Sequence, residues 1–340
     1  LTWKILQGDC LELLATLPDA SVQTCVTSPP YWGLRDYGAD GQLGLEPTPA
    51  AYVEAMVSVF REVRRVLRDD GTLWLNLGDS YSNIGKSGGY TSGKHAAGLQ
   101  GTPCNLLHQT SSRVSGGRIE GLKPKDMVGI PWRVAFALQA DGWYLRSDII
   151  WAKPNPMPSS VMDRPTGAHE YLFLLAKGER YYYNADAIAE PAVSTPKRAT
   201  DMRRGSSAMR GHAALRPRGK NEEQDDRRRA GFNSRWDKAE AAGAVKATRN
   251  RRTVWTVAPR PFKGAHFATM PPDLVEPCVL AGAPVGGVVL DPFSGAGTTG
   301  VVAARLGREY IGIELNPEYV EMSRRRIERD APLFNLASGE

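Results

Sequence analysis

An apolar strand, Val288-Val289-Leu290, runs into the turn Asp291-Pro292-Phe293-Ser294-Gly295-Ala296-Gly297, and this order leaves the chain few folds. A helical run from Thr298 to Leu306 follows, closed by Gly307, and Tyr310 to Glu314 reads as a second strand. Two strands joined through a helix pair in parallel, because only a crossover of that length returns the chain to the same end of the sheet. A parallel sheet needs cover on both faces, so the remaining sequence has to supply more strands and more helices.

The remaining sequence has both. Trp3 to Gln7 reads as a strand ending at Gly8-Asp9-Cys10, and Leu11 to Leu17 as a helix stopped by Pro18. Val22 to Val26 is a second apolar strand. From Pro49 to Arg68, Val53, Met56, Val57, Phe60, Val63 and Leu67 recur with a helical period that Gly71 ends. Thr72 to Leu77 is the next strand, stopping at Gly78-Asp79-Ser80. A helix over Asp126 to Ala140 precedes strands at Trp143 to Ala152 and Tyr171 to Leu175. Regular structure returns at Val254 to Val257, in a helix over Leu274 to Ala281, and in a helix from Pro317 that Asn316 caps. The fold class is α/β: a mostly parallel sheet with helices on both faces.

Two stretches break this pattern. Residues 82–121 hold nine glycines in 40 residues and few large apolar side chains, which fits either a disordered insertion or a mobile loop that closes over a ligand. Between Pro196 and Arg252 there are 17 Lys and Arg against 7 Asp and Glu, a local charge of +10 within a chain of net +6. A basic segment on a mildly acidic body points to a polyanion, and a solvated insertion gives the same composition. The organisation is then 1–81 as a catalytic half, 82–122 as a Gly/Ser-rich insertion and 123–190 as the same domain continued. The basic insertion is 191–252, a cofactor half is 253–330, and 331–340 is a tail. No apolar run reaches membrane-spanning length and no signal peptide is evident, so the expected location is cytoplasmic. Cys10, Cys25, Cys104 and Cys278 lie far apart without CxxC spacing, which argues for reduced thiols and no metal site.

After the second strand comes Thr27-Ser28-Pro29-Pro30-Tyr31-Trp32. Two prolines fix φ twice and offer no N–H, so the chain leaves the strand as a stiff arm rich in acceptors. Ser28 Oγ and the Pro29 carbonyl can both accept from one small donor, and a flat heterocycle stacked on Tyr31 could aim an NH₂ group at them. A Pro-Pro turn beside two core aromatics is the plainer alternative.

The late turn also has two readings. Gly295-Ala-Gly297-Thr-Thr-Gly300, with Glu314 at the end of the next strand, fits a dinucleotide site of an NAD-dependent oxidoreductase. The same devices hold S-adenosylmethionine (AdoMet), whose ribose an acid can bridge. Asp291-Pro-Phe-Ser-Gly-Ala-Gly-Thr-Thr299 late in the chain, with Thr27-Ser-Pro-Pro-Tyr-Trp32 early in it, resembles the beta-class DNA amino-methyltransferases, in which the catalytic half precedes the cofactor half.

That resemblance implies a Rossmann-like sheet of seven strands in permuted order. It implies a catalytic loop of Ser28, Pro29, Pro30 and Tyr31. Its AdoMet contacts would come from Asp9, Cys10, His266, Thr269, Asp291, Phe293, Ser294, Gly295, Gly297, Thr298, Glu314 and Asn316, with no metal. Trp32, Lys153 and Arg164 would meet DNA, the last two also being plausible as ordinary surface cations. Implied partners are double-stranded DNA and a cognate restriction endonuclease, with a homodimer left open. Ser before Pro-Pro-Tyr is associated in that family with the N4 amine of cytosine, and the N6 amine of adenine stays as the alternative. A cysteine-based attack on cytosine C5 would need Cys104 or Cys278 after proline; the first lies in the Gly-rich insertion and the second inside an apolar helix.

Overall fold

The computed structural model describes residues 2–34, 41–82, 121–156, 158–159, 161–192, 248–260 and 269–330. The chain divides into two compact units, Leu1–Ala187 with Arg252–Glu340, and Ile188–Arg251. The expectations for the Gly-rich insertion, the basic insertion and the tail fall almost wholly outside the described residues.

In the first unit, eight strands form one sheet: β1 (Trp3–Gln7), β2 (Val22–Thr27), β3 (Leu67–Leu77), β4 (Tyr144–Ala152), β5 (His169–Ala176), β8 (Val254–Thr256), β9 (Val288–Asp291) and β10 (Glu309–Glu314). In the second unit, β6 (Glu190–Pro191) pairs antiparallel with β7 (Thr248–Arg249), and Arg249 Nε donates to Glu190 Oε1 at 2.9 Å. The large sheet has the order β1-β10-β9-β2-β3-β5-β4-β8. Only β5 runs against the others, since it is antiparallel to both β3 and β4. The sheet has one strand more than the seven implied by the resemblance. The edge strand β8 pairs parallel with β4; it buries Trp255 and exposes Val254 and Thr256, and Trp151 Nε1 donates to the Val257 carbonyl at 2.8 Å.

The helices α1 (Cys10–Ala15), α2 (Pro49–Val66) and α3 (Ile130–Ala140) pack side by side. Their buried Leu14, Phe60 and Val134 belong to one cluster with Leu73, Leu75 and Leu77 of β3. Alternate residues of β3 point the other way. Trp74 and Thr72 meet Gly282, at the end of α4 (Pro272–Gly282), where a Cβ would stand 2.6 Å from Thr24 Oγ1. Helices α5 (Thr298–Arg305) and α6 (Pro317–Asp330) continue from α4 in succession.

The helix starts explain themselves locally. Asp9 Oδ1 accepts from Leu11 N at 2.8 Å and Glu12 N at 3.1 Å, while Thr48 Oγ1 caps α2 ahead of Pro49. Helix α3 begins at Ile130 rather than at the expected Asp126. Met127 forms a bridge with Tyr81, and Gly129 has φ 77°, a left-handed conformation that glycine adopts without strain. Its cap comes from another segment: Asp79 Oδ1 accepts from Gly129 N at 2.9 Å and from Ile130 N at 3.0 Å.

From β9 the chain crosses to β10, beside β1; from β2 it crosses to β3 on the other side. The strand order therefore reverses between β2 and β9. In open α/β sheets ligands bind in the crevice at such a point, outside the carboxyl ends of the strands.

Candidate active site

A cavity of about 860 Å³ opens at that crevice. Its walls come from the carboxyl ends of β1, β2, β3, β4, β9 and β10, and from the amino end of the reversed β5. The early Pro-Pro arm and the late Gly-rich turn both line it, and one hydrogen bond joins them: Thr27 Oγ1 donates to Asp291 Oδ1 at 2.6 Å.

On the turn side, Asp291 is only 2% exposed. Burial raises its carboxyl to about 6, against hydrogen bonds from Thr27, Thr299 and the Phe293 amide that favour the ionised form, with the Glu314 charge adding to the rise. Gly295 and Gly297 have φ 51° and 71°, and a Cβ on Gly297 would lie 2.7 Å from Ser323 Cβ, so this turn needs glycine for both backbone and space. Glu314 Oε2 accepts from Gly295 N and Oε1 from Asn316 N, each at 2.8 Å. Each oxygen keeps a lone pair, so the carboxylate can still receive two hydroxyls. Burial pushes Glu314 above its ordinary range, opposed by those amides. A pair of adjacent ribose hydroxyls suits such a group.

On the arm side, Ser28 Oγ donates to Tyr31 Oη at 3.4 Å, and Tyr31 Oη lies 2.9 Å from Asn76 Oδ1 and 2.8 Å from Glu170 Oε2. Asn76 Nδ2 donates to the Tyr171 carbonyl at 3.0 Å and to Glu170 Oε2 at 3.3 Å. Lys153 Nζ pairs with Glu170 Oε1 and sits 4.4 Å from the centre of the Trp151 ring. Burial first, and the Glu170 charge second, push the Tyr31 phenol well above its usual range, so it stays protonated. The Pro30 carbonyl accepts from Tyr52 Oη at 2.9 Å. Pro29 lines the cavity, and its carbonyl takes no hydrogen bond among the described residues.

Many of the residues expected from sequence meet here. Asp9, Cys10, Ser28, Pro29, Pro30, Tyr31, Lys153, Thr269, Asp291, Phe293, Ser294, Gly295, Thr298, Glu314 and Asn316 all line the cavity. His266 lies outside the described residues. Several side chains are already engaged. Ser294 Oγ pairs with Tyr310 Oη at 2.8 Å, Thr298 Oγ1 accepts from Arg326, Asn316 Oδ1 caps α6 by accepting from Glu318 N, and Asp9 caps α1. Burial, helped by Asp9, pushes the Cys10 thiol up to about 12.

Trp32 departs from expectation. It is 4% exposed within the core, and its Nε1 donates to the Glu46 carbonyl at 2.9 Å, so its ring faces no DNA. Lys153 is not a free surface cation, because Glu170 neutralises it inside the site. Arg164 holds its guanidinium 3.6 Å from the centre of the Tyr81 ring.

Three residues escaped the sequence reading: Asn76, Gly78 and Glu170. An Asn within the apolar run Leu73 to Leu77 was the available signal. Gly78 lets the Tyr31 ring lie against the backbone, since a Cβ there would stand 2.5 Å from Tyr31 Cε2. Among the described residues no group of acidic, Cys and His side chains has the arrangement of a metal site, and no helix is long and apolar enough to cross a membrane.

Comparison with known proteins gives a consistent result. The family model described as DNA methylase matches residues 22–325. The Type II methyltransferase M.Cfr9I of Citrobacter freundii is 46% identical over 335 residues, covering 98% of this chain and 91% of that protein. M.SmaI of Serratia marcescens, also a Type II methyltransferase, is 45% identical over 326 residues, covering 96% and 91%. Among solved structures, the cytosine-N4-specific PvuII DNA methyltransferase superposes with a TM-score of 0.58 at 18% identity, covering 98% of this chain and 92% of that one. A Thermus thermophilus protein assigned as a DNA modification methylase, complexed with S-adenosyl-L-methionine, gives 0.55 at 24% identity, covering 97% and 95%.

Proposed function

The chain belongs to the DNA methylase family, and on that premise we propose that it transfers a methyl group from AdoMet to the exocyclic N4 amine of cytosine in double-stranded DNA. Membership sets aside the dinucleotide reading of the Gly-rich turn. The observation that carries the proposal is the Thr27–Asp291 hydrogen bond, which fastens the acceptor arm to the cofactor turn across the switch point.

The residues suit AdoMet. Glu314 has acceptor capacity left for ribose hydroxyls, and the positive-φ glycines let the ligand approach the backbone closely. When bound, AdoMet supplies an electrophilic methyl group on a sulfonium sulfur. The target base leaves the helix stack, since its amine is out of reach inside a duplex, and Tyr31 stacks on it. Ser28 Oγ and the Pro29 carbonyl accept the two amine hydrogens. This draws the nitrogen lone pair out of conjugation with the ring and toward the methyl carbon. Most of the acceleration comes from holding the nitrogen in line with the methyl group; as the nitrogen–carbon bond forms the carbon–sulfur bond breaks, and the nitrogen sheds one of its hydrogens as a proton to solvent. Arg164 is assigned to backbone phosphate. The serine before Pro-Pro-Tyr favours cytosine over adenine.

Label transfer from methyl-tritiated AdoMet to duplex DNA tests this reading. Wild type is expected to label DNA, and Tyr31→Ala to do so at least about a hundredfold more slowly. Calorimetry that found tight NAD binding and no AdoMet binding would sink the proposal.

A further inference from the structure

The hydrogen bonds behind Ser28 run in one direction. Tyr31 has a single hydroxyl hydrogen, and both of its deep partners, Asn76 Oδ1 and Glu170 Oε2, are acceptors. The Asn76 orientation is fixed by its own amide, which donates to the Tyr171 carbonyl. The Glu170 carboxylate is held by Lys153, with both side chains 19% exposed. The Tyr31 hydrogen is therefore spent on the deep side, and its oxygen shows a lone pair to Ser28. Ser28 spends its own hydrogen on Tyr31, which leaves only lone pairs for the cavity.

We propose that Asn76 and Glu170, acting through Tyr31, are positioning residues that fix Ser28 as an acceptor, so that the site admits an amine and rejects a carbonyl at the same place on a base. This rests on the reading of the cavity as an amine-methylating site. A carbonyl there would put two acceptors face to face, unless the half-buried Ser28 hydroxyl gave up its bond to Tyr31 and turned its hydrogen outward. In Tyr31→Phe the stacking ring remains, but Ser28 loses its partner and is free to rotate and donate. In Asn76→Leu/Glu170→Gln neither deep acceptor remains beside the phenol and the new amide can donate to the Tyr31 oxygen, which releases the phenol hydrogen toward Ser28.

The test measures affinity for two duplexes with S-adenosylhomocysteine present, so that no turnover occurs. One duplex carries the site methylated by wild type, and the other has the target base deaminated, uracil for cytosine or hypoxanthine for adenine. Wild type has some ratio of amine to carbonyl affinity, and comparing that ratio across variants cancels the different costs of extruding the two bases. Tyr31→Phe is expected to lower it about tenfold or more, and Asn76→Leu/Glu170→Gln to lower it in the same direction. A merely structural role weakens both duplexes alike and leaves the ratio unchanged. If the double change lowers the melting temperature, Tyr31→Phe, which keeps the ring, carries the test by itself. Both variants keeping the wild-type ratio overturns the proposal, and a change in Tyr31→Phe alone overturns the part given to Asn76 and Glu170. Wild type that methylates no DNA overturns the parent reading, a separate result.

Discussion

Gly78→Ala is a small change placed where the geometry leaves no room. Gly78 follows β3, and its φ is not in the left-handed region, so alanine meets no backbone obstacle there. Its Cβ would stand 2.5 Å from Tyr31 Cε2 and 2.8 Å from Cδ2. Carbon atoms pack at roughly 3.5–4.0 Å, so the ring must withdraw by about 1 Å. The phenol oxygen now lies 2.8 Å from Glu170 and 2.9 Å from Asn76, and a shift of that size takes both beyond good hydrogen-bond distance. Overpacking of this kind costs about 1–3 kcal/mol of stability. A misplacement of about 1 Å in a site that works by positioning costs about a hundredfold in rate. Glu314 and the Gly295 amide are untouched, so AdoMet affinity should hold. Single-turnover methyl transfer, measured beside calorimetry with AdoMet, reads both quantities. A variant with wild-type rate and wild-type affinity would refute the role given to the Tyr31 position.

Other outcomes follow from the cofactor side. Glu314→Gln sets an amide against one of two backbone N–H groups that now meet carboxylate oxygens, and calorimetry should show AdoMet binding weakened by about ten- to a hundredfold. Asp291 has its folded pKa raised from 3.8 to about 6, so the folded state keeps a proton that the unfolded chain releases. Stability therefore falls as pH climbs from about 4 to about 6, by up to ~3 kcal/mol at about 1.4 kcal/mol per pH unit. Both the Thr27 hydroxyl and the Phe293 amide donate to Oδ1, an atom that Asn retains. Asp291→Asn should then melt above wild type at pH 7 to 8 and level with it at pH 4; an equal deficit at every pH would contradict the burial argument. Cys278 lies buried inside α4 with its Sγ 3.3 Å from the Leu274 carbonyl, so Cys278→Ala should methylate at the wild-type rate, and loss of activity at wild-type stability would revive the cysteine route.

Local pattern carried most of the fold. The α2 period, the apolar strands and the Gly-rich turn are each written within a few neighbouring residues and appear close to their expected bounds, except that β3 begins at Leu67 rather than Thr72 and takes in the Gly71 expected to end α2. The network behind Ser28 is not local. Asn76, Lys153 and Glu170 come from or adjoin three different strands, and they meet only because β5 pairs with β3 on one side and with β4 on the other, in a register that sets Glu170 beside Trp151. Strand pairing of that kind leaves no mark in any short window. Trp32 failed for the opposite reason: beside Tyr31 it looks equally exposed, and only the fold shows that one ring faces the cavity and the other the core. The start of α3 was missed because its cap, Asp79, is 50 residues away in sequence.

The central claim is that an arm of two acceptors presents a base amine to the methyl donor. Nucleosides digested from DNA that has been treated with the protein and methyl-deuterated AdoMet, then separated by mass spectrometry, test it most directly. The expected product is labelled N4-methylcytosine. Labelled N6-methyladenine would overturn the choice of base while keeping the mechanism, and labelled 5-methylcytosine would contradict the mechanism itself.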